Sequence, residues 1–206
     1  AEGHNLIIVA RREDVLTQLA EELEKDYGVD VIVAARDLSV ADDVDKLLSL
    51  IDEKRISICV NSAGIASFGP FLDQDWTYET NQFNLNATAV FRITKAVLDQ
   101  MVPRGEGALC NVGSAAGNVP IPNNATYVLT KAGVNAFTEA LHYELKGTGV
   151  SCTLLAPGPV READPFTGER YRVEPLANGS YRLCAGFELP PPAVRDWPDR
   201  DGDCLV

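Results

Sequence analysis

Two short β-type runs, Ala108-Leu-Cys-Asn-Val112 and Val150-Ser-Cys-Thr-Leu-Leu155, enclose a helical pattern at about residues 125–146. Runs this apolar indicate strands that are buried on both faces, because a strand with one wet face alternates apolar and polar residues. A helix that joins two such strands is typical of a parallel β-α-β unit. This segment therefore predicts a parallel sheet with helices packed against it.

The same alternation of strands and helices extends toward the N-terminus. Further strands are predicted at residues 5–10, 30–35 and 56–60, and further helices at residues 13–27, about 40–54 and about 78–101. This order indicates a doubly wound α/β domain over residues 1–160, with a parallel sheet covered on both faces. Ligands of such folds bind beyond the carboxyl ends of the strands, so the loops after the strands are the candidate sites of chemistry.

Composition narrows the class of protein. The chain has 206 residues, of which 46% are hydrophobic and 23% are charged, as is ordinary for a globular domain with a real core. Its 30 acidic and 18 basic residues give a net charge of -12, which argues against nucleic-acid or anionic-membrane partners. No apolar run approaches the roughly 18 residues that span a bilayer, and the first run is too short for a secretion signal.

The five cysteines are odd in number and show no Cys-x-x-Cys spacing. Cys59, Cys110 and Cys152 lie inside predicted strands, where cysteine behaves as a small buried hydrophobe. We interpret this pattern, together with the missing secretion signal, as that of a cytoplasmic protein without a metal site.

Residues 161–206 differ in character from the predicted α/β core. Six of the 12 prolines lie between Pro165 and Pro198. Alternating apolar and polar residues around Asn178-Gly179 predict a β-hairpin at residues 171–187, because Asn-Gly is a preferred two-residue hairpin turn. Residues 188–206 predict an extended, acidic and mobile tail.

Tyr127 and Lys131 are the strongest sign of chemistry in the chain. They are four residues apart in a predicted helix and therefore lie on one helical face. An ammonium group close to a phenol favours the phenolate form, which makes a tyrosine a usable general acid or base. The pair alone is equally typical of an ordinary solvated helix face, so its meaning depends on its neighbours.

Polar motifs also follow the other predicted strands. Ser114 lies in Gly113-Ser-Ala-Ala-Gly117, after the strand at 108–112, and precedes Tyr127 by 13 residues. The remaining motifs are Asn61-Ser-Ala-Gly64, Asn84-Leu-Asn86 on the long helix, and Pro157-Gly-Pro-Val160 after the last strand. With five motifs in this order and spacing, residues 1–160 resemble the short-chain dehydrogenase/reductase family. The resemblance implies a Rossmann-like fold.

The resemblance also implies a role for each motif residue. Tyr127 would donate a proton to a substrate carbonyl, and Lys131 would stabilise the phenolate and hold the nicotinamide ribose. Ser114 would orient the substrate oxygen, and Asn86 would hold a water molecule that links Lys131 to solvent. Cofactor contacts are implied for Tyr127 as well as Lys131, for Asp37 and Leu38 at the adenine, for Asn61, Ala63 and Gly64 after the third strand, and for Pro157, Gly158 and Val160 beside the nicotinamide.

Each of these residues also has a purely structural interpretation. Ser114 could be a cap, Asn61 a turn former, and Pro157-Gly158 a turn that ends a strand. Asn84 competes with Asn86 for the same role. The five motifs together favour the family over five separate structural explanations.

Arg11-Arg12 directly follows the first predicted strand, where this family meets the adenosine ribose. An acidic residue there would accept a hydrogen bond from a free 2′-hydroxyl, whereas a basic pair favours a 2′-phosphate. The alternative is a solvated helix start. As part of the family resemblance, Arg11 and Arg12 imply that the cofactor is NADP(H) rather than NAD(H).

The chain departs from the family at both ends. The family begins with a strand and a Thr-Gly-x-x-x-Gly-x-Gly loop that opens a helix and receives the pyrophosphate, and this sequence shows no such segment. We expect an N-terminally truncated core in which the strands at 5–10 and 56–60 pair directly, with another strand or with another chain. After Val160, Arg161 and Glu162 stand where the family usually places a threonine.

Two functional hypotheses result. The favoured one is an NADP(H)-dependent oxidoreductase that reduces a carbonyl or oxidises an alcohol of a small molecule by hydride transfer, with Tyr127 as the general acid or base. The alternative is a catalytically inactive domain that acts at most as a binding or regulatory module, because the phosphate-binding loop is missing. Pairing of the long helices at 78–101 and 125–146 would allow a homo-oligomer.

Overall fold

The computed structural model describes residues 3–158 and, beyond them, the backbone of three short strands at residues 172–175, 181–184 and 204–205. The chain divides into two compact units, Ala1–Pro157 and Gly158–Val206. Val160, Arg161, Glu162 and the predicted turn at Asn178-Gly179 lie outside the described residues.

Strands and helices alternate along the first unit, which confirms the predicted α/β fold. The strands are β1 (Leu6–Ala10), β2 (Val31–Ala35), β3 (Ile58–Asn61), β4 (Gly107–Val112) and β5 (Val150–Leu155). The helices are α1 (Glu13–Tyr27), α2 (Ala41–Asp52), α3 (Trp76–Phe83), α4 (Val90–Arg104) and α5 (Ala125–Glu144). None of the helices in the described ranges is long and apolar enough to cross a membrane.

The helix predicted at 78–101 is longer and less regular than its sequence pattern indicates. Helix α3 begins after Asp75, whose side chain accepts a hydrogen bond from the Tyr78 N–H at 2.7 Å and so caps an otherwise unpaired donor. A π-helical turn, Asn84–Ala89, then joins α3 to α4. Such wide turns occur mostly as single interruptions of α-helices and frequently mark functional sites.

The parallel strands form two groups. Strand β1 pairs with β2, whereas β4 pairs with β3 on one side and with β5 on the other, and every pair is parallel. Strands β1 and β3 do not pair with each other, and each has one edge without a partner strand among the described residues. Direct pairing of β1 with β3 was one of the three expected ways to satisfy these edges. The structure does not show it.

The exposed side chains of β3 show the effect of this open edge. Ile58 and Val60 are 54% and 59% exposed, although their apolar run predicts a strand buried on both faces. That prediction is wrong at these two positions, because no described element covers their face of the strand. Cys59 and Asn61 point the other way, toward the core and helix α4.

The hydrophobic core joins α2 and α4 to strands β4 and β5. Its buried side chains include Val44, Leu47 and Ile51 of α2, Ile93, Val97 and Met101 of α4, Leu109 of β4, and Val150 and Cys152 of β5. Burial of an aliphatic side chain of this size contributes roughly 1.5–3 kcal/mol relative to its exposure. The core therefore gives β4 and β5 a firm support and fixes where their carboxyl ends lie.

The second unit contains a small antiparallel sheet. Strand β6 (Arg172–Pro175) pairs with β7 (Tyr181–Cys184), and both lie inside the range predicted for the hairpin. A two-residue strand, β8 (Cys204–Leu205), pairs with the other edge of β7. Residues 204–205 were expected to belong to an extended tail, and in the structure they form part of this sheet instead.

Candidate active site

Helix α5 carries Tyr127 and Lys131 on its first two turns. Tyr127 is half-buried, and Lys131 is only 5% exposed. The Lys131 Nζ lies 5.8 Å from the centroid of the Tyr127 ring and donates a hydrogen bond to the Val112 carbonyl oxygen at 2.8 Å. Because Val112 is the last residue of β4, the ammonium lies between the phenol and the carboxyl end of a central strand.

Asn86 connects the loop after β3 to helix α5. Its side chain is fully buried and binds both backbone groups of Ile65: Oδ1 accepts from the N–H at 2.9 Å, and Nδ2 donates to the carbonyl at 2.8 Å. Nδ2 also donates to Thr130 Oγ1 at 3.2 Å, and Thr130 donates to the Tyr127 carbonyl at 2.8 Å. Asn84 instead donates to the Ser39 carbonyl, so the geometry brings Asn86 rather than Asn84 to the Tyr–Lys pair.

Gly64 lies directly beside this group. A Cβ atom on Gly64 would lie 3.2 Å from Asn86 Oδ1 and 3.7 Å from Lys131 Nζ. The backbone at Ala63 and Gly64 is exposed, while the two polar side chains next to it are buried. The missing side chain therefore leaves an accessible surface beside the lysine ammonium.

Ser114 lies two residues beyond the end of β4 and begins a 3-10 turn at Ala115–Asn118. Its Oγ accepts a hydrogen bond from the Ala116 N–H at 3.1 Å, which is the capping role that its structural interpretation predicts. That bond uses one lone pair and leaves the O–H for a second partner. The cap and a donor role toward a bound molecule are therefore compatible.

Asn135 is a residue of the site that sequence reasoning missed. It is 4% exposed, and its side chain binds both backbone groups of Ser114: Oδ1 accepts from the N–H at 3.3 Å, and Nδ2 donates to the carbonyl at 2.9 Å. Nδ2 also donates to Asn118 Oδ1 at 2.9 Å. The available signal was its spacing, since Tyr127, Lys131 and Asn135 are four residues apart on one helical face.

A buried polar cluster underlies the site. Asn61 Nδ2 donates to Asn111 Oδ1 at 2.9 Å and to Thr94 Oγ1 at 3.2 Å, and Asn111 Nδ2 donates to Thr138 Oγ1 at 3.0 Å. These bonds tie β3 and β4 to α4 and α5 through side chains. Because the members satisfy one another in a low-dielectric interior, the cluster makes the strand ends rigid. Asn111, like Asn135, was missed by sequence reasoning.

The other cofactor-contact candidates lie at the ends of their own strands. Asp37, after β2, accepts hydrogen bonds from the Ser39 N–H at 3.0 Å and Oγ at 2.7 Å, and Leu38 packs against the core. The Pro157 carbonyl accepts a hydrogen bond from the Ala115 N–H at 3.0 Å. Gly158 begins the second unit of the chain.

Arg11 and Arg12 are exposed directly after β1, at the start of helix α1. Arg12 occupies the N-cap position without a side-chain cap, and Glu13 and Asp14 lie in the first turn. The helix N-terminus and two guanidinium groups therefore lie at one end of β1, an arrangement that favours anions.

Burial lowers the pKa of the Lys131 ammonium, because the charged form loses hydration. Between the lowered folded-state pKa and the unfolded value of about 10.4, the unfolded chain binds the proton more tightly than the folded one, so the free energy of unfolding rises with pH. Below that window the cost of the buried charge is fully present. We therefore expect the free energy of unfolding of the parent to rise relative to that of Lys131→Met as the pH rises from about 7.5 to 10.

Urea unfolding of both chains across this range measures that difference. Burial also raises the pKa of Cys59 to about 11 and raises the pKa values of Cys110 and Cys152. These thiols make the free energy of unfolding fall as the pH rises. Because they do so equally in both chains, their effect cancels in the comparison. Lys146→Met, at an exposed lysine just beyond the end of α5, serves as the control for the loss of an ammonium group. A parent chain whose free energy of unfolding does not rise relative to that of Lys131→Met would contradict the expected titration.

The described residues thus bring the Tyr127 phenol, the Lys131 ammonium and the Ser114 hydroxyl to the carboxyl end of β4 and the adjoining start of α5. Such groups can donate protons and hydrogen bonds to an oxygen of a bound molecule. No group of three or more His, Cys, Asp or Glu residues within these ranges is arranged to hold a metal ion. The arrangement fits acid–base chemistry on a carbonyl or alcohol.

A comparison with known protein families identifies the family of this chain. A family model described as short chain dehydrogenase matches residues 1–170. The chain therefore belongs to the short-chain dehydrogenase family of oxidoreductases, as its motifs predicted.

Individual relatives match the α/β part of the chain. It is 35% identical over 164 residues to a short chain dehydrogenase of Pseudocercospora fijiensis and 38% identical over 163 residues to sulfoacetaldehyde reductase 2 of Chromohalobacter salexigens. These alignments cover 77% and 76% of this chain but only 52% and 63% of the relatives. The chain thus spans between half and two thirds of their length.

A solved structure shows the same fold. The short-chain dehydrogenase from Sphingobium yanoikuyae in complex with NADPH superposes with a TM-score of 0.74 at 34% sequence identity. The match covers 77% of this chain and 63% of that chain. The α/β fold of this part of the chain is therefore shared with a protein that was solved in complex with NADPH.

Proposed function

We propose that this chain carries the catalytic groups of an NADP(H)-dependent oxidoreductase that reduces a carbonyl or oxidises an alcohol of a small molecule. The observation that carries the proposal is the placement of Tyr127 and Lys131 on one face of α5, with Asn86 and Gly64 beside the ammonium. Family membership supports the reaction class, and the NADPH in the Sphingobium yanoikuyae structure supports the cofactor.

When bound, NADPH would supply the hydride that the carbonyl carbon accepts. In that direction Tyr127 donates its phenolic proton to the substrate oxygen. The products are an alcohol and a phenolate, and the Lys131 ammonium 5.8 Å from the ring stabilises that negative charge. Ser114 donates its O–H to the substrate oxygen and keeps it in place. In the reverse direction the phenolate removes the proton from the alcohol.

Asn86 acts in this site as a positioning residue. Both of its N–H donors are used, one by the Ile65 carbonyl and one by Thr130 Oγ1. A water molecule held by this side chain, as the family resemblance implies, would therefore have to donate to the remaining lone pair of Oδ1. The bonds already present fix the loop after β3 against α5.

The described residues fit the two ends of NADP(H) better than its middle. The exposed backbone at Gly64 beside Lys131 leaves room for the nicotinamide ribose, and Arg11 and Arg12 at the start of α1 match the charge of a 2′-phosphate. No glycine-rich loop that could receive the pyrophosphate occurs among residues 3–158. We therefore expect the chain to bind the cofactor weakly.

Titration of the chain with NADPH, followed by cofactor fluorescence, tests this proposal. We expect saturable binding that Arg11→Asp weakens at least about tenfold, since a charge-assisted hydrogen bond to phosphate is worth roughly 1.5–3 kcal/mol. NADH, which lacks the 2′-phosphate, should bind both chains with equal affinity. If Arg11→Asp lost affinity for NADPH and NADH equally, or for neither, Arg11 would be excluded as the ligand of the 2′-phosphate.

Arg55→Asp is the matched control for Arg11→Asp. Arg55 is exposed, lies before the amino end of β3, and forms an ion pair with Glu106 at the surface. The variant makes the same change in charge at the opposite end of the strands. Because an exposed ion pair contributes little to stability, NADPH affinity should stay within about twofold of the parent value.

A catalytically inactive binding or regulatory module is the second candidate function. It is favoured by the open edges of β1 and β3 and by the missing pyrophosphate loop in the described ranges. A folded chain that binds neither NADPH nor NADH would support this module and contradict the oxidoreductase.

A further inference from the structure

The side chain of Asn135 holds the backbone of Ser114 from both sides. Its amide accepts from the Ser114 N–H and donates to the Ser114 carbonyl, at 3.3 and 2.9 Å. Ser114 is thereby kept in an extended conformation, with φ -165° and ψ 147°, at the point where the chain leaves β4 and enters the 3-10 turn. The direction of the serine hydroxyl follows from this backbone conformation.

Two glycines make the space that the Asn135 amide occupies. A Cβ atom on Gly113 would lie 1.9 Å from Asn135 Oδ1, and one on Gly117 would lie 2.7 Å from Nδ2 and 2.6 Å from the Lys131 backbone carbon. Neither position could carry a side chain without displacing the amide or the helix. Gly113, Gly117 and Asn135 therefore form one packed unit around Ser114.

The burial of Asn135 makes this unit costly to disturb. The residue is 4% exposed, and removal of its amide would leave the Ser114 N–H without a partner, whereas the Ser114 carbonyl would keep its hydrogen bond from the Gly117 N–H at 3.0 Å. A buried polar group without a partner costs roughly 1–3 kcal/mol, so the serine backbone would move to find new partners. Asn135 also continues the helical face of Tyr127 and Lys131, which means that a single face of α5 sets the phenol, the ammonium and the serine.

We propose that Asn135 is a positioning residue that keeps the Ser114 hydroxyl aligned with the substrate oxygen, an inference that rests on the proposed reductase function. Asn135 acts through Ser114 and touches neither substrate nor cofactor. Its effect is on the chemical step, because a serine that shifts by a fraction of an ångström no longer shares the substrate oxygen with Tyr127.

A double-mutant cycle tests this role. We expect Asn135→Leu to lower kcat for NADPH-dependent carbonyl reduction about ten- to a hundredfold, with the KM for NADPH within about twofold of the parent. In a Ser114→Ala background the same substitution should lower kcat by less than about twofold, because its target is gone. Glu139→Leu, an exposed position on the same helix, is the control for a leucine on α5 and should leave kcat unchanged.

Amide hydrogen exchange in the same variants tests the contact independently of activity. We expect exchange at the Ser114 N–H to accelerate at least about tenfold in Asn135→Leu, while Leu109 inside β4 keeps its protection. Asn135→Asp keeps the acceptor for that N–H and loses the donor to the carbonyl, so it repeats the kinetic test with a smaller change if the leucine variant does not fold.

The two measurements have distinct outcomes. Unchanged exchange at Ser114 overturns the contact, and kcat losses that multiply fully in the double variant overturn the positioning role. If the parent chain reduces no carbonyl, the proposed reductase function fails, whereas the exchange result still decides whether Asn135 holds Ser114.

Discussion

Tyr127→Phe should lower NADPH-dependent carbonyl reduction by at least about a hundredfold while leaving NADPH affinity and the free energy of unfolding nearly unchanged. The substitution removes one hydroxyl group from a half-buried ring and so deletes the proton donor without creating a cavity. General acid catalysis by a positioned side chain contributes about 10²–10⁴-fold, which sets the size of the effect. Initial rates at saturating NADPH, compared with a fluorescence titration of the same samples, separate chemistry from binding.

Tyr143→Phe is a closely matched control for this variant. Tyr143 lies on the same helix and also has a lysine beside its ring, with Lys146 Nζ 4.5 Å from the centroid. It is 67% exposed at the far end of α5, away from the ends of the strands. Only the tyrosine beside Lys131 should matter, so equal activities of the Tyr127→Phe and parent chains would remove Tyr127 from the mechanism.

The sequence was sufficient to predict the fold and the proximity of Tyr127 and Lys131, because both follow from local spacing. Two short β-type runs, such as 108–112 and 150–155, with a helix between them have few solutions other than a parallel β-α-β unit. Tyr127 and Lys131 are four residues apart in one helix, so their proximity needs no knowledge of the rest of the chain. The same reasoning applies to motifs that directly follow strands, such as Ser114.

Contacts between distant segments could not be predicted from the sequence. Asn135 is 21 residues from Ser114, and Asn61 is 50 residues from Asn111, and an asparagine carries no sign of which backbone it will bind. The π-helical turn that places Asn86 is also invisible to a 3.6-residue period. The burial prediction fails at Ile58 and Val60 for a related reason. An apolar side chain is buried only where another element packs over it, and the sequence pattern does not show whether one does.

The described residues leave one face of β3 uncovered and contain no glycine-rich loop that could receive the pyrophosphate. Strands β1 and β3 each have an edge of unpaired N–H and carbonyl groups among the described residues, and such edges invite another strand. The family that this chain belongs to begins with a strand and a glycine-rich loop whose N–H groups bind phosphate at a helix N-terminus. A single added segment could therefore close the sheet and complete the cofactor site.

A fusion variant carries an apolar strand, a Thr-Gly-x-x-x-Gly-x-Gly loop and a helix in front of Ala1. We expect this fusion to bind NADPH at least about a hundredfold more tightly. Two new hydrogen bonds to charged phosphate oxygens, at roughly 1.5–3 kcal/mol each, account for that gain. Coverage of Ile58 and Val60 should also raise the free energy of unfolding by about 2 kcal/mol. Urea unfolding and an NADPH titration measure the two gains separately.

The control for this fusion replaces the three loop glycines by alanine and leaves the added strand intact. Side chains there would keep the backbone N–H groups away from the pyrophosphate, so this variant should keep the gain in stability and lose most of the gain in affinity. Tighter binding by both fusions would mean that sheet closure alone builds the site. A fusion that gains stability but binds NADPH no more tightly than the parent would contradict the NADP(H) site. The Tyr–Lys pair would then belong to a domain that binds something else.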